Sequence, residues 1–388
     1  MALSDVAVAR TPLHALHVSL GARMVPFAGY EMPLQYPAGI LTEHLHTRAR
    51  AGLFDVSHMG QIRLRPRSGL VADAALALER LVPADIVSIA PGRQRYTLFT
   101  DPQGGILDDL MVANLGDHLL LVVNAACKQT DLLHLRAHLS DACTVEPLFE
   151  RGLVALQGPG AEAALAALAP EAAAMSFMDV RPLDVAGVSC MVSRSGYTGE
   201  DGYELGIPQT DVVRVAEALL AQPGVLPIGL GARDSLRLEA GLCLYGTDLD
   251  AGTSPAEAAL EWSIQKSRRI GGVRAGGFPG ADRVLAELGS GAGRRRVGLL
   301  PEGRAPLRGG TRLFASEDFN APSIGTVRSG AFGPTLNAPM AMAMVETGHS
   351  ADGTRLVAEL RGRPVPVRVA PLPFVTPGYK RNAKRTAA

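Results

Sequence analysis

Residues 110–124 constrain the fold more than any other stretch. They read Leu-Met-Val-Ala-Asn-Leu, then Gly-Asp, then His-Leu-Leu-Leu-Val-Val-Asn. Two apolar runs around a Gly-Asp pair suit a tight antiparallel hairpin, because the turn types that fit a hairpin's twist need a positive φ that glycine adopts freely. Apolar spacing predicts helices over 41–51, 125–139, 161–168, 211–221 and 233–241. Strand-like runs fall between them, at 61–64, 109–115, 118–124, 188–193 and 203–207. Strands and helices mix without strict βαβ alternation, so the chain reads as α+β rather than doubly wound α/β.

Length and composition act mainly by exclusion. The 388 residues suffice for two or three domains with their own cores. Thirty-eight Lys and Arg balance 38 Asp and Glu. That balance argues against a broad nucleic-acid or membrane surface but leaves room for a local basic pocket. No apolar run has the length to span a bilayer. The four cysteines, Cys127, Cys143, Cys190 and Cys243, show no Cys-x-x-Cys spacing, which argues against zinc and a disulfide framework. Residues 1–10 carry neither an apolar signal core nor an Arg/Ser-rich transit character. A reduced, cytoplasmic protein of bacterial type without a transit peptide is therefore expected.

Glycines cluster at 271–272, 276–277 and 289–293, and beyond them the chain turns to strands and turns at 296–300, 311–314, 323–327, 341–345 and 365–369. The expected division is a region 1–290 and a small all-β domain over 294–380.

Four segments carry candidate chemistry. In residues 104–111 (Gly-Gly-Ile-Leu-Asp-Asp-Leu-Met), Asp108 and Asp109 open an apolar strand. Adjacent strand residues face opposite sides, so only one of the two can enter a given pocket and they cannot form a close carboxylate dyad. The plain alternative has both facing solvent beside a Gly-Gly turn. Residues 193–205 end in Gly-Tyr-Glu-Leu, where Glu204 faces away from Tyr203 and Leu205. A carboxylate there can accept two parallel hydrogen bonds from an amidine-like ligand edge; otherwise it is an exposed strand Glu.

Residues 229–239 form a Gly-rich turn opening a helix, with Arg233 and Arg237 on one face. Arg233 at a helix start suits an anion, while ion pairs with Asp234 or Glu239 would use up either arginine. No Gly-x-Gly-x-x-Gly follows a strand, so a nicotinamide cofactor is not supported. His58, in residues 54–60, is either a general base or a turn histidine held by hydrogen bonds. Ser57 beside it lacks a Gly-x-Ser-x-Gly elbow.

Taken together, these segments resemble the glycine cleavage T-protein family. The matching runs include Phe-Ala-Gly-Tyr-Glu-Met-Pro-Leu at 27–34, Gly-Leu-Phe-Asp-Val-Ser-His-Met-Gly at 52–60 and Gly-Gly-Ile-Leu-Asp-Asp-Leu at 104–110. Further on come Val-Asn-Ala-Ala at 123–126, Leu-Gln-Gly-Pro at 156–159, Arg-Ser-Gly-Tyr-Thr-Gly-Glu-Asp-Gly-Tyr-Glu-Leu at 194–205, Gly-Leu-Gly-Ala-Arg-Asp at 229–234 and Pro-Phe-Val at 373–375. They follow the family's order over nearly the whole chain.

The resemblance implies a multi-domain fold: two interleaved α+β regions around a folate cavity, with a C-terminal all-β, barrel-like domain. It implies an aminomethyltransferase that passes the methylene of aminomethyl-lipoyl H-protein to tetrahydrofolate. Ammonia leaves, 5,10-methylenetetrahydrofolate forms, and no metal is required. By the same resemblance Asp109 is the catalytic carboxylate and Glu204 grips the pterin. Arg233 and Tyr379 bind ligand, and Tyr96, Asn124 and Tyr197 line the cavity. The implied partner is the lipoylated H-protein, with no nucleic acid and no membrane.

Two alternatives share the fold. One is another folate enzyme, such as a demethylase or the folate half of a sarcosine- or dimethylglycine-oxidising enzyme, whose flavin domain finds neither room nor motif here. The other is a folate-binding protein for iron–sulfur assembly, which would not keep both Asp109 and Glu204 in these contexts.

Overall fold

A computed structural model describes residues 8–381. Most of the N-terminal stretch read above for targeting character, residues 1–7, lies outside the described part. The hairpin forms: Ile106–Asn114 pairs antiparallel with Leu119–Val123. The Leu115 N–H donates to the His118 carbonyl at 3.0 Å, and Gly116 takes φ 95° as the first turn residue. This hairpin is the middle of a five-stranded sheet that also contains Arg93–Thr100, Gly60–Pro66 and Cys143–Pro147. Its core face, built from Ile62, Leu64, Leu110, Val112, Leu119 and Leu121, packs on the helices Val71–Leu78 and Lys128–Leu139.

A six-stranded sheet takes Ala51–Asp55, then leaves the intervening chain to the five-stranded sheet. It resumes with Gly152–Gln157, Val180–Val185, Val188–Ser193, Gly202–Ile207 and Val225–Ile228. The two α+β regions are thus interleaved in sequence. A three-stranded sheet (Ala9–Arg10, Arg23–Phe27, Tyr30–Gln35) lies at the N-terminal end. Six strands from Arg294–Pro301 to Arg363–Ala370 close into a barrel around Leu299, Leu313, Val327, Ala343 and Val367. The chain after 370 leaves the barrel and returns to the first region, where the Gly378 N–H donates to the Gly199 carbonyl at 2.8 Å.

Two helix starts differ from the sequence expectation by three residues, and two others by one. The helix expected from 125 begins at Lys128, because the Asn124 carbonyl accepts from the N–H groups of Cys127 and Lys128 in a preceding turn. The helix expected from 233 begins at Leu230. The buried Glu43 carboxylate receives the Gly229 N–H at 2.8 Å, so the anion site expected at this helix start is filled from within the protein. The Gly-x-Gly has a packing role: a Cβ on Gly229 would stand 2.4 Å from the Leu34 carbonyl oxygen, and one on Gly231 would stand 2.4 Å from Ile40 Cδ1.

Strands such as Gly152–Gln157 and Ala51–Asp55 escaped the periodicity reading because every residue in them is buried, which removes the alternation. All four cysteines are free thiols.

The strand carrying Asp109 is set in place by a backbone contact at its start. A Cβ on Gly105 would lie 1.8 Å from the Ala251 carbonyl oxygen, which no side-chain adjustment relieves. Gly105→Ala is therefore expected to cost about 2 kcal/mol or more of stability, at the upper end of overpacking effects. Denaturant unfolding measures it, and a loss below about 0.5 kcal/mol would show that the contact is soft.

Candidate active site

A cavity of about 1350 Å³ lies among the sheets and the barrel, and Tyr96, Asp109, Asn124, Tyr197, Glu204, Arg233 and Tyr379 all line it. Seven side chains from separate stretches of the chain meet here because each element presents one face to this space.

The strand Ile106–Asn114 alternates as expected. Asp108, Leu110 and Val112 turn inward, while Asp109 and Met111 line the cavity. The solvent-facing alternative for the two carboxylates is overturned, since Asp108 is fully buried and Asp109 is walled into the cavity. Asn124 joins them: its Nδ2 donates to Asp108 Oδ1 and to Asp109 Oδ1, each at 2.8 Å. The Tyr96 hydroxyl lies beside the Asp109 carboxyl in the same cavity and favours its ionised form. Burial raises the Asp109 pKa, the Asp108 charge raises it further, and it rests at about 7. Asp109 can therefore both take and give a proton near neutrality.

Glu204 faces the cavity, while Tyr203 and Leu205 are fully buried in the core behind it. The exposed-strand alternative for Glu204 does not hold. Burial raises its pKa, and the Arg233 charge and the Ser195 hydroxyl, 3.1 Å from Oε2, oppose that rise. The guanidinium of Arg233 lies over the Tyr197 ring, 4.7 Å from its centre, and its Nη1 is buried without a hydrogen-bond partner. Such an orphaned donor beside a carboxylate acceptor fits a ligand edge that offers both donors and a carbonyl, as a pterin does.

Arg237, one turn on, is spoken for. It pairs with Asp234 at 2.8 Å and Asp248 at 2.7 Å and donates to Ser329 Oγ at 3.0 Å. The ion-pair alternative therefore describes Arg237 and not Arg233.

Tyr379 stacks on Phe177 with ring centres 4.2 Å apart and planes 13° from parallel. His58 lines the cavity but makes no turn hydrogen bond through its buried Nδ1. Burial, with Arg233 and Lys128 adding to it and Asp55 opposing, lowers its pKa to about 4, so the ring is neutral. Sequence reasoning missed Trp262, which stacks on Tyr96 at 5.2 Å between ring centres, 60% exposed at the cavity. As the one tryptophan in the chain it carried a signal that periodicity could not weigh. Among the described residues, no group of three or more His, Cys, Asp or Glu is arranged to hold a metal ion.

The interleaved sheets and the closed barrel coincide with the two domains of a known transferase family. Residues 13–268 match the GCVT N-terminal domain, and residues 294–376 match the glycine cleavage T-protein C-terminal barrel domain. The chain is 42% identical to a mitochondrial aminomethyltransferase of Dictyostelium discoideum, over 96% of this chain and 94% of the relative. It is 43% identical to that of Gallus gallus, over 95% and 93%. The crystal structure of glycine cleavage system aminomethyltransferase T from Bartonella henselae superposes with a TM-score of 0.88 at 40% identity, covering 97% of this chain and 100% of that one. The chain belongs to the glycine cleavage T-protein family, and its activity is that of an aminomethyltransferase.

Asp109→Asn is expected to keep the fold and lower turnover by on the order of 10²-fold or more, as for loss of a positioned acid–base group. The sign of its stability effect follows from the raised pKa. Ionised Asp109 is disfavoured in the fold, so its presence costs stability progressively as pH rises from its ordinary 3.8 through about 7. In mildly alkaline buffer the variant should melt about 2 °C or more higher than the parent. Calorimetric melting and steady-state turnover check both halves; an Asp108→Asn variant that loses more activity would reverse the choice between the two carboxylates.

Proposed function

We propose that this enzyme takes the S-aminomethyl group of lipoylated H-protein and transfers its methylene carbon to tetrahydrofolate: the C–N and C–S bonds break, ammonia and the dihydrolipoyl thiol leave, and they carry off the two protons that the folate nitrogens lose. One observation carries the reading. A carboxyl poised near neutrality, held by Asn124 with Tyr96 beside it, shares a cavity with an unpartnered arginine nitrogen next to a half-buried carboxylate. Tetrahydrofolate supplies two nitrogens, N5 of the reduced ring and the arylamine N10 beside it, between which the carbon ends.

In this reading Glu204 and Arg233 hold the pterin edge, with Tyr197 beneath the guanidinium fixing its plane. Tyr379 and Trp262 offer aromatic faces at the cavity. Asp109 sits where N10 would come, accepts its proton and stabilises positive charge developing at the transferred carbon. Holding both reactants in one cavity supplies the orientation. Cytoplasmic residence belongs to the same proposal and draws its support from the four free thiols. Among the described residues, no helix is long and apolar enough to cross a membrane.

The direct test mixes the enzyme with aminomethyl-loaded H-protein, with and without tetrahydrofolate. Ammonia and 5,10-methylenetetrahydrofolate should form together only when all components are present; equal ammonia release without enzyme would sink the proposal. Glu204→Gln replaces an acceptor oxygen with a donor amide facing the pterin's own donors. A charged hydrogen bond is worth roughly 1.5–3 kcal/mol, so tetrahydrofolate affinity should fall about 10- to 100-fold. H-protein affinity should hardly change. Two calorimetric titrations separate these outcomes, and unaltered folate affinity would return Glu204 to a structural role.

A further inference from the structure

Behind Asp109, on the side away from the cavity, Asp108 meets a second buried carboxyl, Asp131 of the helix Lys128–Leu139. Asp108 is fully buried and Asp131 is 3% exposed. Their carboxyls are hydrogen-bonded to each other. Two carboxylates cannot bond in this way unless one of them carries a proton. No cation offsets the pair: neither residue takes part in a salt bridge among the described residues, and Lys128 is turned to the Tyr30 hydroxyl and the His58 carbonyl.

The surroundings say where the proton lies. Asp108 accepts from the Asn124 N–H at 3.2 Å and from Asn124 Nδ2 at 2.8 Å, and the Cys127 thiol lies beside it. Burial raises the Asp108 pKa and these donors oppose that rise, so of the two carboxyls Asp108 is the one better able to hold the charge. Asp131 Oδ2 has no partner, and no donor but the carboxyl's own proton joins it to Asp108. The other titratable groups facing the pair are Asp109 from the same strand as Asp108 and Tyr245 from the loop opposite. Neither supplies positive charge.

The consequence reaches the cavity through one amide. Asn124 Nδ2 has two hydrogens and three acceptors: Asp108 Oδ1, Asp109 Oδ1 and, at 3.1 Å, the Asp109 carbonyl. Its orientation, and with it the Asp109 carboxyl, depends on an anionic Asp108 anchoring the far side.

We propose that Asp131 is a positioning residue for the transfer reaction: a neutral acid that donates to Asp108 and keeps it anionic, so that Asn124 stays aligned on Asp109. Its burial and its anionic neighbour Asp108 push Asp131 well above the carboxylate range, in keeping with that state. The inference rests on the proposed transfer chemistry, and its test separates the two. An amide donates where a protonated carboxyl does, so Asp131→Asn should retain turnover within about twofold of the parent and the same pH profile. Asp131→Ala removes the donor. Its kcat should fall roughly 10-fold with little change in the KM for tetrahydrofolate, a size usual for groups that orient a reacting residue.

The acidic limb of its kcat profile should move to lower pH, because Asp108 then takes up a proton itself and no longer opposes ionised Asp109. A residue that merely fills space would move neither the limb nor the Asn/Ala contrast. Infrared difference spectra give a reading that needs no turnover. The protein in mildly alkaline buffer should show a protonated carboxylic carbonyl band that persists in Asp109→Asn and vanishes in Asp131→Asn.

Equal loss in the Asn and Ala variants, an unmoved or oppositely moved limb, or a band that survives Asp131→Asn would each overturn the proposal. Should the Ala variant fail to fold, the Asn variant and its spectrum still decide. A parent enzyme that releases no ammonia from loaded H-protein would instead overturn the function.

Discussion

Glu239 is wholly buried, yet it is held as an anion, and three parts of the chain converge on it. His44 Nε2 lies 3.1 Å from its Oε2, Arg48 Nη2 lies 2.9 Å from the same oxygen, and the Thr335 N–H of the barrel donates to Oε1 at 2.8 Å. Burial alone would raise its pKa; the hydrogen bond and charge of His44, with Thr335 and Arg48, hold it down to about 2. The sign of its contribution follows. It is present in full above the carboxyl's ordinary 4.5 and fades as pH falls toward about 2. Removing one partner from such a knot leaves charge buried without compensation, which is far more costly than never having built it.

Glu239 ends the helix Leu230–Glu239, and that helix is the strut between the regions. Arg237 reaches Asp248 and the barrel's Ser329, Ser235 meets His44, and Gly229 and Gly231 seat the helix against residues 34 and 40. With the side chains of Ser235, Arg237 and Glu239 committed to holding position, Arg233 is the one arginine of the helix left facing the cavity without an ion pair. A ligand-binding cation needs this rigidity, since a mobile arginine loses part of its binding energy to ordering.

In the cavity and just behind its wall stand carboxyls whose pKa values differ through their surroundings. Asp109 rests near neutrality, Asp108 accepts from Asn124, Asp131 is joined to Asp108, and Glu204 is balanced by Arg233. Identical groups thereby take different roles, which is the usual basis for running acid and base steps in one site at one pH. The arrangement sacrifices stability locally and is maintained by the Glu239 knot and the three cores around it.

Much of this was legible in the chain alone. The period-2 pattern around Asp108 and Asp109 dictated that they face opposite sides, and the run ending in Tyr203-Glu204-Leu205 dictated that Glu204 turns away from the core. The hairpin turn at Gly116 and the change to strand and turn near residue 294 follow from local backbone chemistry in the same way. Local rules stop where partners are distant. They left Arg233 and Arg237 equivalent, and only the fold brought Asp248 and Ser329 to Arg237 and left Arg233 free. They left His58 open between a general base and a turn histidine and gave no sign of Trp262 over Tyr96 or of Asp131 against Asp108. Periodicity decides which face a side chain takes; which charge stands across from it, and therefore which proton it holds, is decided by contacts between segments far apart in sequence.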